Sequence, residues 1–479
     1  MDNRHVTRSE FLKSVGLGAA ALAMPRFAPA GPAAARKPNI VFILADDLGT
    51  YHLGCYGQKI IQTPNIDRLA REGVRFTQTY AGCTVCAPSR SVLMTGLHMG
   101  HTPVRTNPGG VPIRASDVTV AQVLRKAGYA TGGFGKWGLG DAGTDGVPTR
   151  HGFDEFFGYL HQVHAHFYYP EYLWHNDGKV PLPGNAGGKK GQYSADVILE
   201  KGLEFIRANK ERPFLCYLPT TLPHNELAAP EESLHLYSGK FDEEPFLNPR
   251  PGYAAPREPK ATLAAMITHM DKGVGRVLAL LAELGLEDDT IVFFASDNGG
   301  PGPYGVRVDF FKPNGPLRGY KTSLYEGGLR VPMIVRWPGR IKAGSANDFV
   351  WYFPDVMPTL AELAGTKAPE GIDGLSVVPA LIGEEAAGRR QLKHDFLYWE
   401  FAEGKRAQQA VRMDNWKAIR LKPDAPLDLY DLSTDVGETR NVAAEHPQVV
   451  ARIEAYLKTC RTDPPPQIEP DKPKGQRWR

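Results

Sequence analysis

After Asn39 the chain runs Ile40-Val41-Phe42-Ile43-Leu44 without one polar side chain and then reaches Ala45-Asp46-Asp47. The run has strand length, far short of the roughly 20 residues that a membrane-spanning helix needs. A strand with one wet face alternates apolar and polar residues, so an unbroken run predicts a parallel strand covered on both faces. Similar runs recur at 129–134, 213–218, 290–295 and 332–335, with helical stretches between them. That alternation predicts an α/β fold, a doubly wound, mixed, mainly parallel sheet flanked by helices.

Helix signals agree with this. Thr63-Pro64 is expected to cap a helical stretch at 65–71, with Pro64 suited to the first helical position and Gly73 to the stop. Helical periodicity also marks 119–126, 194–208 and 261–284, whereas the Pro/Gly-rich stretches 181–191, 245–259 and 299–316 read as long surface loops. Past residue 370 the pattern changes to short strand-like pieces at 396–399 and 416–421, followed by a helix at 447–457. This predicts a smaller C-terminal α+β domain on an antiparallel sheet. The expected division is a signal peptide at 1–35, an α/β catalytic domain at 36–370, the α+β subdomain at 371–460, and a loosely ordered tail at 461–479.

The N-terminal segment reads as an export signal: Arg4, Arg8 and Lys13 precede an apolar run at 15–24, and Ala28-Pro29-Ala30 offers a cleavage site. Thr7-Arg8-Ser9-Glu10-Phe11-Leu12-Lys13 resembles a twin-arginine signal with Ser9 in place of the second arginine. The expected location is periplasmic or secreted, by the general secretory or the twin-arginine route, with no stable membrane insertion. Cleavage would remove four basic and two acidic residues, taking the formal charge from +3 to +1, so no nucleic-acid-binding surface is expected. Five cysteines, Cys55, Cys83, Cys86, Cys216 and Cys460, are an odd set and too few for a disulfide-built scaffold.

Open α/β sheets bind ligands beyond the carboxyl ends of their strands. The polar residues gather there: Asp46 and Asp47 after the first run, Lys136 after the second, His224 after the third, Asp297 and Asn298 after the fourth. Asp46, Asp47, Asp297 and Asn298 offer only oxygen ligands, which suits Ca²⁺, or Mg²⁺, better than zinc. Cys86 opens Cys86-Ala87-Pro88-Ser89-Arg90, and Pro88 suggests a helix starting there, with residue 86 at the positive end of the helix dipole and Arg90 one turn up the same face. Cys83-Thr84-Val85-Cys86 also has the spacing of a redox pair or half a zinc site, but no second C-x-x-C completes a zinc cage.

The motif Cys86-Ala87-Pro88-Ser89-Arg90, with Thr95-Gly96 downstream, resembles the sulfatase family, and the resemblance runs from Lys37 to about Leu457. In that family a formylglycine-generating enzyme oxidises this cysteine to formylglycine, whose hydrated aldehyde attacks sulfur and then expels sulfate. The resemblance implies Asp46, Asp47, Asp297, Asn298 and the modified Cys86 as ligands of one calcium ion. It further implies Lys136 and Lys321 as the lysines on the sulfate oxygens, Arg90 as the support of the formylglycine, and His224 as the proton donor to the leaving alcohol. The chain departs from the family at Gly138, where many members carry a histidine that contacts the second hydroxyl of the hydrate. His161, His164 and His166 cluster beside Tyr168-Tyr169-Pro170, and the expectation is that His166, or else His164, fills the gap and contacts substrate. Aromatic faces and polar tips there suit a sugar, so the expected substrate is a sulfated, galactose-type carbohydrate attacked from its end. The alternatives are a phosphonate or phosphodiester hydrolase of the same superfamily and a catalytically silent carbohydrate-binding protein.

Overall fold

The computed structural model describes residues 36–403, 406–464 and 466. The segment 1–35 expected to direct export lies outside them, as does most of the tail at 461–479. None of the described helices is long and apolar enough to cross a membrane.

The fold is α/β. Eleven strands form the main sheet: β1 (Asn39–Ala45), β2 (Val74–Tyr80), β3 (Ala130–Lys136), β4 (Glu155–Tyr159), β5 (Tyr172–His175), β6 (Gly178–Pro181), β7 (Phe214–Pro219), β8 (Thr290–Ser296), β9 (Arg330–Arg336), β10 (Ser345–Asn347) and β11 (Trp351–Tyr352). Their order is β10-β2-β9-β8-β1-β7-β3-β4-β5-β6, with β11 also on β2. The centre, β8-β1-β7-β3-β4, is parallel. On one side β9 runs antiparallel to both β8 and β2, and on the other β5 and β6 turn back antiparallel. The apolar run at 332–335 therefore belongs to a strand of reversed direction.

β1 is covered on both faces. Ile40, Phe42 and Leu44 enter one core and Val41, Ile43 and Ala45 the other, as the two-residue period of a strand requires. Helices α1 (Pro64–Glu72), α4 (Ser194–Ala208) and α5 (Pro259–Glu283) supply the second core through Leu69, Leu203 and Leu278. Helices α2 (Cys86–Thr95), α3 (Val120–Lys126) and α6 (Val356–Leu363) supply the first through Leu93, Leu124 and Leu360. Thr119 caps α3 with a reciprocal box: its hydroxyl accepts from the Gln122 amide and Gln122 Oε1 accepts from the Thr119 amide. At α1, Pro64 is the first helical residue, but Thr63 does not cap it; its hydroxyl instead joins Asp67 and the Gly54 amide. Two of the expected loops carry helical turns, Pro183–Gly188 and Val308–Phe311, and Pro259 at the end of the third opens α5.

A second, antiparallel sheet follows, β12 (Leu397–Glu403), β13 (Arg406–Met413), β14 (Trp416–Arg420) and β15 (Asp428–Asp431), with helix α7 (Pro447–Leu457) after it. Its residues share the first core with the main sheet. Trp399 donates its indole N–H to the Ala81 carbonyl at 2.9 Å, four residues before the cap of α2. Lys417 Nζ lies 2.9 Å from Glu326 Oε1, both side chains fully buried, and Glu326 Oε2 accepts from the Tyr80 hydroxyl. Glu326 follows the loop that carries Lys321. The second sheet thus anchors that loop with a buried ion pair.

Candidate active site

The strand ends converge as the sequence arrangement predicts. Asp46 and Asp47 follow β1, and Asp47 takes a left-handed backbone (φ 62°), a conformation that Asp tolerates better than most residues. Lys136 ends β3. Just before it, a Cβ at Gly135 would stand 2.0 Å from the Pro219 carbonyl oxygen, so only glycine lets β3 and β7 close up there. Helix α2 begins at Cys86 itself, with Val85 as its cap residue, and all ten of its side chains are buried.

These residues form one charged, buried knot. Lys136 Nζ donates to Asp46 Oδ2 at 2.6 Å. Lys321 Nζ donates to Asp47 Oδ2 at 2.7 Å and lies 3.3 Å from Cys86 Sγ and 3.1 Å from His224 Nε2. Arg90 gives Nε and Nη2 to Asp297 Oδ2 and Nη1 to the Lys136 carbonyl. The Asp47 amide donates to Asp297 Oδ1, and Asn298 Nδ2 donates to Asp47 Oδ1. Ligand atoms of Asp46, Asp47, Cys86 and His224 all lie within 4.8 Å of one another. Asp297 is held beside this group by Arg90.

The electrostatics follow from burial and neighbours. Burial alone would raise the Asp46 carboxyl, yet Lys136, with Arg90 and Lys321, holds it well below the usual carboxylate range. Asp297 is pushed up to about 7 by burial and by Asp46 and Asp47, against the pull of Arg90. The Lys136 ammonium is held above its ordinary value by Asp46 despite burial. Burial raises the Cys86 thiol to about 12 in spite of the two lysines. It is therefore a protonated thiol at neutral pH, with little nucleophilic character of its own. Cys83 is likewise raised by burial, and all five cysteines are free, with no disulfide between Cys83 and Cys86.

His224 is neutral, its pKa driven down by burial and by Lys321. An ammonium can only donate, so His224 Nε2 accepts from Lys321; Nδ1 then carries the proton and donates to the Asn225 carbonyl at 2.7 Å. His166 stacks on the His224 ring, centroids 4.2 Å apart, and its Nδ1 meets the Tyr253 hydroxyl at 2.5 Å. Arg250, exposed, lies over the Tyr253 and Tyr304 rings.

His164 goes elsewhere. Its ring packs between Tyr159 and Tyr172 with no exposed surface, and burial drives its pKa down to about 3. The gap at Gly138 (φ 78°) is filled by neither histidine: a Cβ there would lie 3.6 Å from Gln162 Oε1 and 3.9 Å from Arg90 Cδ. The neighbour is thus an amide from the expected segment rather than an imidazole. Gln162, Asn107 and Tyr253 are the site residues that sequence reasoning missed. No motif marks a lone Gln or Asn, and only the Tyr-rich, Pro/Gly-rich character of 245–259 hinted at Tyr253.

Comparison with known proteins gives the following. Residues 38–366 match the family model described as Sulfatase, and residues 320–463 match that of the N-sulphoglucosamine sulphohydrolase C-terminal region. Human arylsulfatase A is 33% identical, over 92% of this chain and 92% of its own length. The N-acetylgalactosamine-6-O-sulfatase of Bacteroides thetaiotaomicron is 31% identical, over 89% of this chain and 94% of its own. The crystal structure of Ps i-CgsB in complex with k-i-k-neocarrahexaose aligns with a TM-score of 0.77 at 28% identity, covering 91% of this chain and 96% of that one.

Proposed function

The chain belongs to the sulfatase family and is a sulfuric ester hydrolase, and from that premise we propose that it works through a formylglycine made from Cys86 beside one calcium ion, on a sulfated galactose-type sugar. The observation that carries this reading is the setting of Cys86: first residue of a buried helix, inside Cys86-Ala87-Pro88-Ser89-Arg90, and 3.3 Å from the Lys321 ammonium. A thiol held near 12 is a poor nucleophile, which supports conversion by a formylglycine-generating enzyme over direct cysteine chemistry.

The donor set fits a hard cation. Asp46 Oδ1 and Asn298 Oδ1 are buried and find no hydrogen-bond partner among the described residues. They stand in a cluster where burial, together with the neighbouring Asp46 and Asp47 carboxylates, pushes Asp297 up to about 7. Oxygen donors of this kind suit calcium, with magnesium as the lesser choice. Asp46, Asp47, Asp297, Asn298 and residue 86 would hold it. When bound, the ion polarises the sulfate ester and the formylglycine supplies a regenerable oxygen nucleophile.

The other residues bind, orient and move a proton. The Lys136 and Lys321 ammonium groups hold sulfate oxygens, and Arg90 fixes Asp297 and the Lys136 backbone. His224 Nε2, aimed into the crevice by the Nδ1 bond to Asn225, is the atom that passes a proton to the leaving alcohol. Burial and the Lys321 charge keep His224 neutral in the free enzyme; an anionic ester between the two lysines offsets that charge, so that Nε2 takes up a solvent proton with the substrate and then passes it on. The His166, Tyr253 and Arg250 wall offers ring faces and polar tips to a pyranose. One relative is named for N-acetylgalactosamine 6-sulfate and another was solved with a saccharide, which supports a galactose-type sugar, attacked from its end. Periplasmic or secreted location follows from the N-terminal segment.

A panel of sulfated mono- and oligosaccharides tests the substrate, with aryl phosphate and phosphonate esters at equal calcium as controls. The expected outcome is turnover of a sulfated galactose-type sugar, with His166→Ala raising KM about tenfold while kcat changes little, as loss of uniform binding requires. Faster turnover of the phosphorus esters, or an unchanged KM, refutes the substrate reading.

A further inference from the structure

Next to Gly138, and tied through Asn107 to the residue after Cys86, lies a polar group that the site as described leaves unused. Gln162 is 3% exposed, and its Oε1 finds no hydrogen-bond partner among the described residues. A buried carbonyl without a donor is costly and calls for a partner in the working protein.

The hydrogen bonds around it fix which atom is free. The Ala87 amide can only donate, and it points at Asn107, which must therefore present Oδ1. That same Oδ1 receives Gln162 at 2.8 Å, so Gln162 must turn its Nε2 toward Asn107. Oε1 is left free, 3.6 Å from where a Cβ at Gly138 would stand, a position that is itself 3.9 Å from Arg90 Cδ. Arg90 and Cys86 share one face of α2, four residues apart. Asn107 thus ties the Gln162 amide to the residue that follows Cys86.

The donors nearby are committed. Lys136 serves Asp46, Lys321 serves Asp47, and Arg90 serves Asp297 and the Lys136 carbonyl. A free aldehyde at position 86 would bring no donor either. Its hydrate brings two, for water adds its oxygen to the aldehyde carbon while a water proton moves to the former carbonyl oxygen, with no change of oxidation state.

We propose that Gln162, held by Asn107, is the acceptor that keeps residue 86 hydrated, its Oε1 taking a hydrogen bond from one hydroxyl of the hydrate. This rests on the formylglycine reading. Gln162 is then a positioning residue for the nucleophile, not a base, since an amide does not take up a proton near neutral pH.

Without substrate, an aminooxy probe reports the hydration balance, because it condenses only with the free aldehyde and releases water. Gln162→Met removes the acceptor at similar length, Gln162→Glu returns an acceptor oxygen, and Asn107→Ala cuts the tether should the first variant fold poorly. Peptide mass spectrometry first fixes the fraction of residue 86 converted in each protein. The expected result is probe labelling about tenfold faster per converted residue in Gln162→Met and Asn107→Ala, the size of one ordinary hydrogen bond, with Gln162→Glu near the parent rate. Equal labelling in all four proteins overturns the proposal alone, as does a higher KM with unchanged labelling, which would assign Oε1 to a substrate hydroxyl. An unconverted thiol in active parent enzyme overturns both the proposal and the formylglycine reading.

Discussion

Replacing Lys321 with methionine separates the charge of this side chain from its bulk. The ammonium makes three contacts, with Asp47 Oδ2, Cys86 Sγ and His224 Nε2, and is the most exposed cation of the knot, its side chain 16% accessible against 0% for Lys136. A hydrogen bond to a charged group contributes about 1.5–3 kcal/mol, so losing one to a sulfate oxygen lowers kcat/KM roughly 10- to 150-fold. Stability should fall as well, though less than for Lys136, because Asp47 is buried but keeps Asn298 Nδ2 as a partner and the side chain at 321 is partly exposed. Lys136→Met should differ: it strands Asp46 Oδ2 without its 2.6 Å partner in a fully buried place and costs about 3–5 kcal/mol of stability. The assay is steady-state turnover of a sulfate ester beside thermal unfolding of both variants. A Lys321→Met enzyme within threefold of the parent kcat/KM would refute the role given to that ammonium.

Two further outcomes follow from the packing. Lys417→Met leaves Glu326 buried without its main cation and should destabilise the protein by about 3–5 kcal/mol, much of it recovered by adding Glu326→Gln; an additive loss in the double variant would show that the pair does not couple. His394 Nε2 lies 2.6 Å from Asp355 Oδ1, and despite burial this partner holds its pKa above the ordinary 6.5. Its stabilising contribution is thus complete below about pH 6.5 and fades as pH rises through the higher folded value, so His394→Gln should flatten the pH dependence of unfolding on that side; an unchanged slope contradicts the assignment.

The strands that could be read from the sequence are those covered on both faces. β1, β7 and β8 are fully buried along their lengths and so appear as apolar runs. β2 was missed because Arg75, Thr77 and Gln78 break its run, and these positions are only half-buried toward the edge of the sheet. Direction was legible for the parallel centre but not for β9: the run at 332–335 gives no sign that this strand is antiparallel, since side-chain period is the same either way. The site was legible wherever a residue type stood at a strand end, as with Asp46, Asp297 and Lys136. The histidine cluster was not. His164 and His166 sit in one tight helical turn, two residues apart, which sends one ring between Tyr159 and Tyr172 and the other onto His224. Gln162 became visible only through the hydrogen bonds that orient its amide.

The central claim is the chemical identity of residue 86 in working enzyme. Mass spectrometry of the peptide that spans Cys86 to Arg90, taken from protein of measured sulfate-ester turnover and compared with Cys86→Ala, tests it most directly. The account predicts an aldehyde in place of the thiol, in a fraction that tracks turnover from one preparation to the next, and no turnover in Cys86→Ala. Full activity with only unmodified thiol at that position would contradict it.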